Sequence, residues 1–247
     1  MTERRKMARR AASEAVVEAG WQFILGGFET WVPAQGISEA IGIATIAGPA
    51  APGDAGLGID IRPDGIRLRI QDPATGWVEQ PEVDAAQAIT ARLREHGYHP
   101  GGQGPGPHVQ RLELALDTLD EDRIKPFWRA VLDYVDGPDG DLVDPRDHGP
   151  SVWFQAMDHP RPQRNRIHFD ITVPHEQAQT RIDAGLATGG RLLSTEYAPS
   201  FWVLADPEGN EICICTWLDR DERRDAVLAA QARARAQEHQ ADLPDAR

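Results

Sequence analysis

The sequence predicts an α+β protein in which a C-terminal pair of β-α-β-β-β modules follows a smaller N-terminal α+β domain. Three observations lead there. The 247 residues suffice for two ordinary cores. The stretch HGYHPGGQGPGP (residues 96–107) is all turn chemistry, without a periodic apolar residue, and reads as a linker. Beyond it, one order of strand and helix patterns occurs twice. The resulting division is a domain over 1–97, a linker over 98–107, two modules over 108–160 and 164–218, and a charged tail over 219–247.

In the first module VQRLELALDT alternates apolar and polar residues, and Ile124, Phe127, Trp128, Val131 and Leu132 then fall at helical spacing. DLVDP and SVWFQAMD follow as strands. In the second, RIHFDITV alternates, EQAQTRIDAGLATGG is helical and stops at paired glycines, and RLLSTE, SFWVLAD and EICICTW are short strands. The period, from Arg111 to His168, is roughly 57 residues. Within FWVLADPEGNEICICTW, the run Asp206-Pro207-Glu208-Gly209-Asn210 has the residues of a type I turn closed by a left-handed glycine, so its flanks form a hairpin. The N-terminal domain reads as strand (WQFILGGFETWV), helix (ISEAIGIATIAG), hairpin (LGIDIRPDGIRLRIQ) and helix (EQPEVDAAQAITARLREHG).

The net charge of −13 disfavours nucleic acid and anionic membranes as partners. No apolar run approaches the roughly 20 residues that span a bilayer, and the basic start leads into an Ala/Glu helix pattern, so a cytoplasmic protein is expected. Cys213 and Cys215 lie two apart on one strand, too far apart for an easy bridge, and are expected to be free thiols. The tail is expected to be a fraying surface helix.

Strand alternation separates two faces. Leu112, Leu114 and Leu116, Val152 and Phe154, Ile167, Phe169, Ile171 and Val173, and Ile212 and Ile214 turn to the helices. The other face carries Arg111, Glu113, Trp153 and Gln155 from the first module, and His168, Asp170, Glu211 and Cys213 from the second. If these faces curl round a shared space, it is a polar cup. Each residue also has a plainer reading. His168 is either a histidine satisfied by Asp170 or a ligand-site residue. Arg111 and Glu113 either pair with one another or Arg111 holds a carboxylate of a ligand. Trp153 and Trp202 either pack or form an aromatic wall. Cys213 is a small buried filler unless a depressed pKa makes it reactive.

RNRIHFDITV, an Ala-rich helix and FWVLADPEGNEICICTW, together with KPFWRAVLDY and SVWFQ, resemble the vicinal oxygen chelate superfamily, in particular its glyoxalase-like actinobacterial members. The resemblance covers about 110 residues and implies two modules in an open half-barrel, often around a divalent metal held by the first and last strands of each module. The corresponding positions are Arg111, Gln155, His168 and Cys213. Arg111 has no lone pair to give, and a thiol stands where the family usually has Glu. No cofactor is therefore favoured; a divalent metal is the alternative, with His168, Gln155 and Cys213 as its ligands. The implied function is binding of a small organic molecule without a catalytic metal. The alternative is a metal-dependent lyase or dioxygenase of the glyoxalase/bleomycin resistance class, with Glu113 or Glu211 as base.

GWVEQPEVDAAQAI resembles the closing segment of pterin-4a-carbinolamine dehydratases. Where that family carries catalytic histidines this sequence reads Ala51-Pro52-Gly53-Asp54 and Ile70-Gln71-Asp72, and no His precedes His96. A degenerate dehydratase-like domain without the acid–base groups is expected, and dehydratase activity is the last alternative. His96 and His99 are expected to be solvated. The expected partner is a small-molecule ligand, and a homodimer is left open.

Overall fold

A computed structural model describes residues 7–52, 56–101, 110–160 and 167–219. The expected tail beyond 219, most of the Gly/Pro linker and residues 161–166 lie outside them. The chain divides into two compact units, one running to Glu113 with Gly137–Asp141, the other comprising Leu114–Asp136 and the chain from Leu142.

The first unit runs α1 (Arg9–Val16), β1 (Gln22–Ile24), β2 (Gly27–Pro33), α2 (Ile37–Ala47), β3 (Leu57–Arg62), β4 (Gly65–Ile70) and α3 (Gln80–Glu95). The stretch expected as one strand from Trp21 is a hairpin, because Leu25 and Gly26 both take positive φ (43° and 71°) and reverse the chain. The antiparallel sheet has the order β1-β2-β4-β3. Phe28, Val32, Ile66, Leu68 and Ile70 line one face of it and are wholly buried in a core with Ile43, Ala86, Ile89 and Leu93. Pro81 and the reciprocal Glu79–Glu82 capping box fix the start of α3. On the opposite sheet face the buried Glu29 accepts from Arg69 at 3.4 Å and from Arg111 at 2.9 Å, with Arg67 at 3.8 Å.

The second unit contains the expected order twice. The first module is β5 (Glu113–Thr118), α4 (Glu121–Leu132), β6 (Val135–Asp136), β7 (Leu142–Val143) and β8 (Ser151–Ala156). The second is β9 (Phe169–Thr172), α5 (His175–Ala187), β10 (Arg191–Ser194), β11 (Phe201–Ala205) and β12 (Glu211–Cys215). Their sheets match strand for strand, β5-β8-β7-β6 and β10-β11-β12-β9, with the first strand of each module beside its last. The helices begin at Glu121 and His175, 54 residues apart, and the first strands end at Thr118 and Thr172, also 54 apart. The expected period of 57, which matched Arg111 with His168, is too long; Leu112 and Ile167, also expected against the helices, precede the strands and are 67% and 75% exposed.

The helices of both modules share one core in which Ile124, Phe127, Trp128, Val131, Leu204, Ile212 and Ile214 are wholly buried. Close approach of α4 and the end of α5 depends on Gly185 and Gly190: a Cβ on Gly190 would sit 2.3 Å from the Phe127 ring, and one on Gly185 2.8 Å from Val131 Cγ1.

Candidate ligand face of the second module

The face of the second sheet turned away from its helix follows from register. Antiparallel pairs place Phe201 opposite Cys215, Val203 opposite Cys213 and Ala205 opposite Glu211, while the parallel pairing of β12 with β9 sets Cys213 beside Asp170 and Cys215 beside Thr172. Directly paired residues share a face. Trp202, for which the sequence leaves packing and an aromatic wall both open, pairs with Ile214 and packs against the shared helix-side core, so it stands on the wrong face for a wall. Phe201 and Val203 occupy the face turned away from the helix instead. The signal was present in the sequence: once Ala205 and Glu211 close the hairpin, even-numbered residues of β11 must meet even-numbered residues of β12.

His168, Asp170 and Cys213 come together. Their candidate donor atoms lie within 4.8 Å of one another, with Nε2 of His168 3.4 Å from Oδ1 of Asp170. His168 and Asp170 are exposed, whereas Cys213 is buried between β11 and β9. The Cys213 thiol is pushed up to about 12, first by burial, then by its hydrogen bond to Asp170 and by the charges of Asp170, Cys215 and Glu211. At neutral pH it is a neutral S–H donating to Asp170, in keeping with the expected filler and not with a nucleophile. Cys215 is also a free, buried thiol.

The remaining expected residues are distributed as follows. Trp153 and Gln155 project from β8 on the side opposite the buried Val152, and both are exposed. Glu113 is exposed at the start of β5, and Glu211 is half-buried at the start of β12. Matching the inward-facing Leu114 and Leu116 to Phe169 and Ile171 sets an offset of 55 residues along the first strands, so the counterpart of His168 is Glu113 and not Arg111. Arg111 stands before β5 and belongs to the first unit, where its guanidinium donates to Glu29 through Nε at 3.0 Å and through a terminal nitrogen at 2.9 Å. The geometry gives this guanidinium Glu29, where the sequence left open a pair with Glu113 or the carboxylate of a ligand.

The chemistry of the donor set decides which metal it could take. Hard ions such as Mg²⁺ and Mn²⁺ require several oxygens, and the converging side chains supply one carboxylate beside an imidazole and a protonated thiol. That set does not fit them. Mixed N, O and S donors are instead a zinc type of set. Among the described residues no helix is long and apolar enough to cross a membrane.

The glyoxalase-like domain family matches residues 113–215. No curated protein matches the sequence. Among solved structures, the fosfomycin resistance protein FosX of Mesorhizobium loti is 12% identical, with 48% of this chain and 99% of that chain covered at a TM-score of 0.38. The trypanothione-dependent glyoxalase I of Leishmania major is 15% identical over 51% of this chain and 99% of its own, with a TM-score of 0.34. A glyoxalase/bleomycin resistance protein/dioxygenase family enzyme from Burkholderia phytofirmans is 16% identical over 43% of this chain and 97% of its own, with a TM-score of 0.35. Residues 113–215, with their two β-α-β-β-β modules, are a glyoxalase-like domain of the vicinal oxygen chelate superfamily.

Proposed function

We propose that the glyoxalase-like domain binds a small organic molecule on the sheet faces turned away from its helices, without a resident metal. The observation that carries this reading is the internal satisfaction of the would-be ligand group. The Cys213 S–H donates to Asp170, and His168 stands 3.4 Å from the same carboxylate. A cation would have to displace both contacts and a firmly held thiol proton. The polar side chains there, and the exposed Trp153 and Gln155 on β8, are the groups this reading uses for hydrogen-bonded recognition of a small molecule.

The test is elemental analysis of the full chain purified without chelator, paired with ligand-observed NMR against a fragment library. Substoichiometric metal and fragment binding weakened by His168→Ala are expected. A stoichiometric divalent ion lost in His168→Ala overturns the metal-free reading.

The convergence of three unlike donors within 4.8 Å favours one second reading, a zinc-dependent lyase, since zinc has no redox chemistry to offer a dioxygenase. His168, Asp170 and Cys213 would hold the ion, which when bound would polarise a substrate carbonyl or acidify a water. Glu211, on the same face as Cys213, is then the nearest candidate for moving a proton. For the N-terminal unit we read a domain without dehydratase chemistry, supported by the lack of histidine at residues 51–54 and 70–72. Turnover of a carbinolamine pterin by the full chain overturns that.

A further inference from the structure

The sheet of the second module ends at β10, which among the described residues pairs with β11 alone. An edge strand is normally guarded by charge or by shortness, because its unpaired N–H and C=O groups would otherwise template another chain. β9, the opposite edge of the same sheet, carries Asp170 with His168 just before it, both exposed, and β6 at the edge of the first sheet is only two residues long. The interior of β10 has neither guard. It reads Arg191-Leu192-Leu193-Ser194, and the two leucines are 41% and 49% exposed.

The two ends of this stretch carry opposite charges. Arg191 opens it and Glu196 closes it, both exposed, and neither side chain has an ion pair among the described residues. The pairing with β11 slips between Leu192 and Ser194, so that Ser194 meets Val203 where Arg191 meets Ala205. Val203 and Ala205 share one face of β11, and the slip therefore returns Ser194 to the face of Arg191, with Glu196 two residues further on. The patch is neutral, with leucines at its centre. Elsewhere the net charge of −13 drives copies of the chain apart.

We propose that β10 is a docking edge for a second copy of this chain, two β10 strands pairing antiparallel about a two-fold axis near Leu193. Antiparallel reversal sets each Arg191 beside the Glu196 of the other copy, so one sequence supplies both halves of two ion pairs with the leucines between them. A run with like charges at its two ends would repel itself in the same arrangement. The contact closes on itself, since it uses the exposed edge of both copies and leaves none to extend the assembly from β10. It is also small. A standard interface takes about 20–30 residues a side, far more than the stretch 191–196 supplies, so a weak dimer is expected, with a dissociation constant on the order of tens of micromolar or above.

The test is sedimentation velocity of the full chain over a concentration range that brackets that constant, at near-physiological salt. A reversible monomer–dimer equilibrium is expected. Leu193→Lys places a charge at the centre of the pairing and should raise the dissociation constant about tenfold or more. Arg191→Glu alone, or Glu196→Arg alone, puts two like-charge contacts into the dimer and should weaken it about tenfold. The double substitution Arg191→Glu with Glu196→Arg restores opposite charges and should return the constant to within about threefold of wild type, a rescue that damage to the fold could not produce. A chain that stays monomeric throughout, a dimer indifferent to Leu193→Lys, or a double substitution no better than the single ones overturns the proposal.

Discussion

Asp144 and Asp206 begin the same kind of turn. Each is followed by proline, and each leads from the third strand of its module into the fourth. Asp144 accepts from the backbone N–H groups of Arg146, His148 and Gly149 at 2.9, 3.1 and 2.9 Å. Asp206 accepts from those of Glu208, Gly209 and Asn210 at 2.9, 2.7 and 2.9 Å. There the likeness ends. Asp206 is wholly buried, and its second oxygen receives the Trp128 indole N–H at 2.9 Å and the Asn210 side chain at 2.8 Å. Trp128 sits on the helix of the other module; the residue 54 positions on from it is Ile182, which has no N–H to give. One local motif is thus a self-contained turn in the first module and, in the second, a joint between modules.

The neighbour of Asp206 strengthens that joint. Glu208 accepts from Thr118 Oγ1 at 3.1 Å and from the backbone N–H groups of Leu119 and Asp120, both at 3.0 Å, immediately before α4. A carboxylate there satisfies donors at a helix start and meets the positive end of its dipole. The D-P-E-G-N sequence does two things: Pro and Gly shape the hairpin, while Asp and Glu attach it to the first module.

The comparison predicts unequal effects from equal substitutions. Asp206→Ala strands the buried Trp128 N–H and three turn N–H groups together, and should cost about 3–5 kcal/mol in urea unfolding of the full chain. A loss under 1 kcal/mol would mean water or a rearranged loop replaces the carboxylate, and the joint would not exist. Trp128→Phe keeps the aromatic bulk and removes only the donor, so about 1–2 kcal/mol is expected. Glu208→Ala should cost about 1 kcal/mol, the usual scale for losing a helix-start cap, and the loss should shrink in high salt.

What the sequence made legible was whatever is local. Alternation, helical spacing and D-P-x-G-N gave both modules, and the split of Val152 and Phe154 from Trp153 and Gln155 needed nothing more than period two. What it concealed depends on distant partners. Arg111 looked like a cup residue because it continues the alternation of Glu113; its place is set by Glu29, 82 residues earlier in the chain. The overlong period has the same origin, since it matched Arg111, which precedes β5, with His168. Trp202 stayed ambiguous for a different reason: its type suits either role, and only the parity its hairpin imposes decides for packing. The link from Asp206 to Trp128 had no signal at all, because no local rule joins a turn to an indole 78 residues away.

The smallest expected effect also has the clearest dependence on pH. Burial alone would raise the Asp144 carboxyl, but hydrogen bonds from the Arg146, Gly149 and His148 backbone, with the charge of His148, outweigh it and leave the group below its ordinary value. A carboxyl whose pKa is lower folded than unfolded adds stability above the unfolded value of about 3.9 and loses it as pH falls through the folded value. Wild type should therefore exceed Asp144→Asn in stability by about 1 kcal/mol at pH 7, with the difference fading as pH falls below about 4. The same substitution acts on Tyr134, whose phenol is raised by burial and secondarily by Asp144; removing the charge should bring its titration back toward the ordinary range in ultraviolet absorbance. A difference between wild type and Asp144→Asn that stayed constant from pH 7 to pH 3 would show that Asp144 acts by shape alone, and its turn would then owe nothing to the charge that Asp206 shares with it.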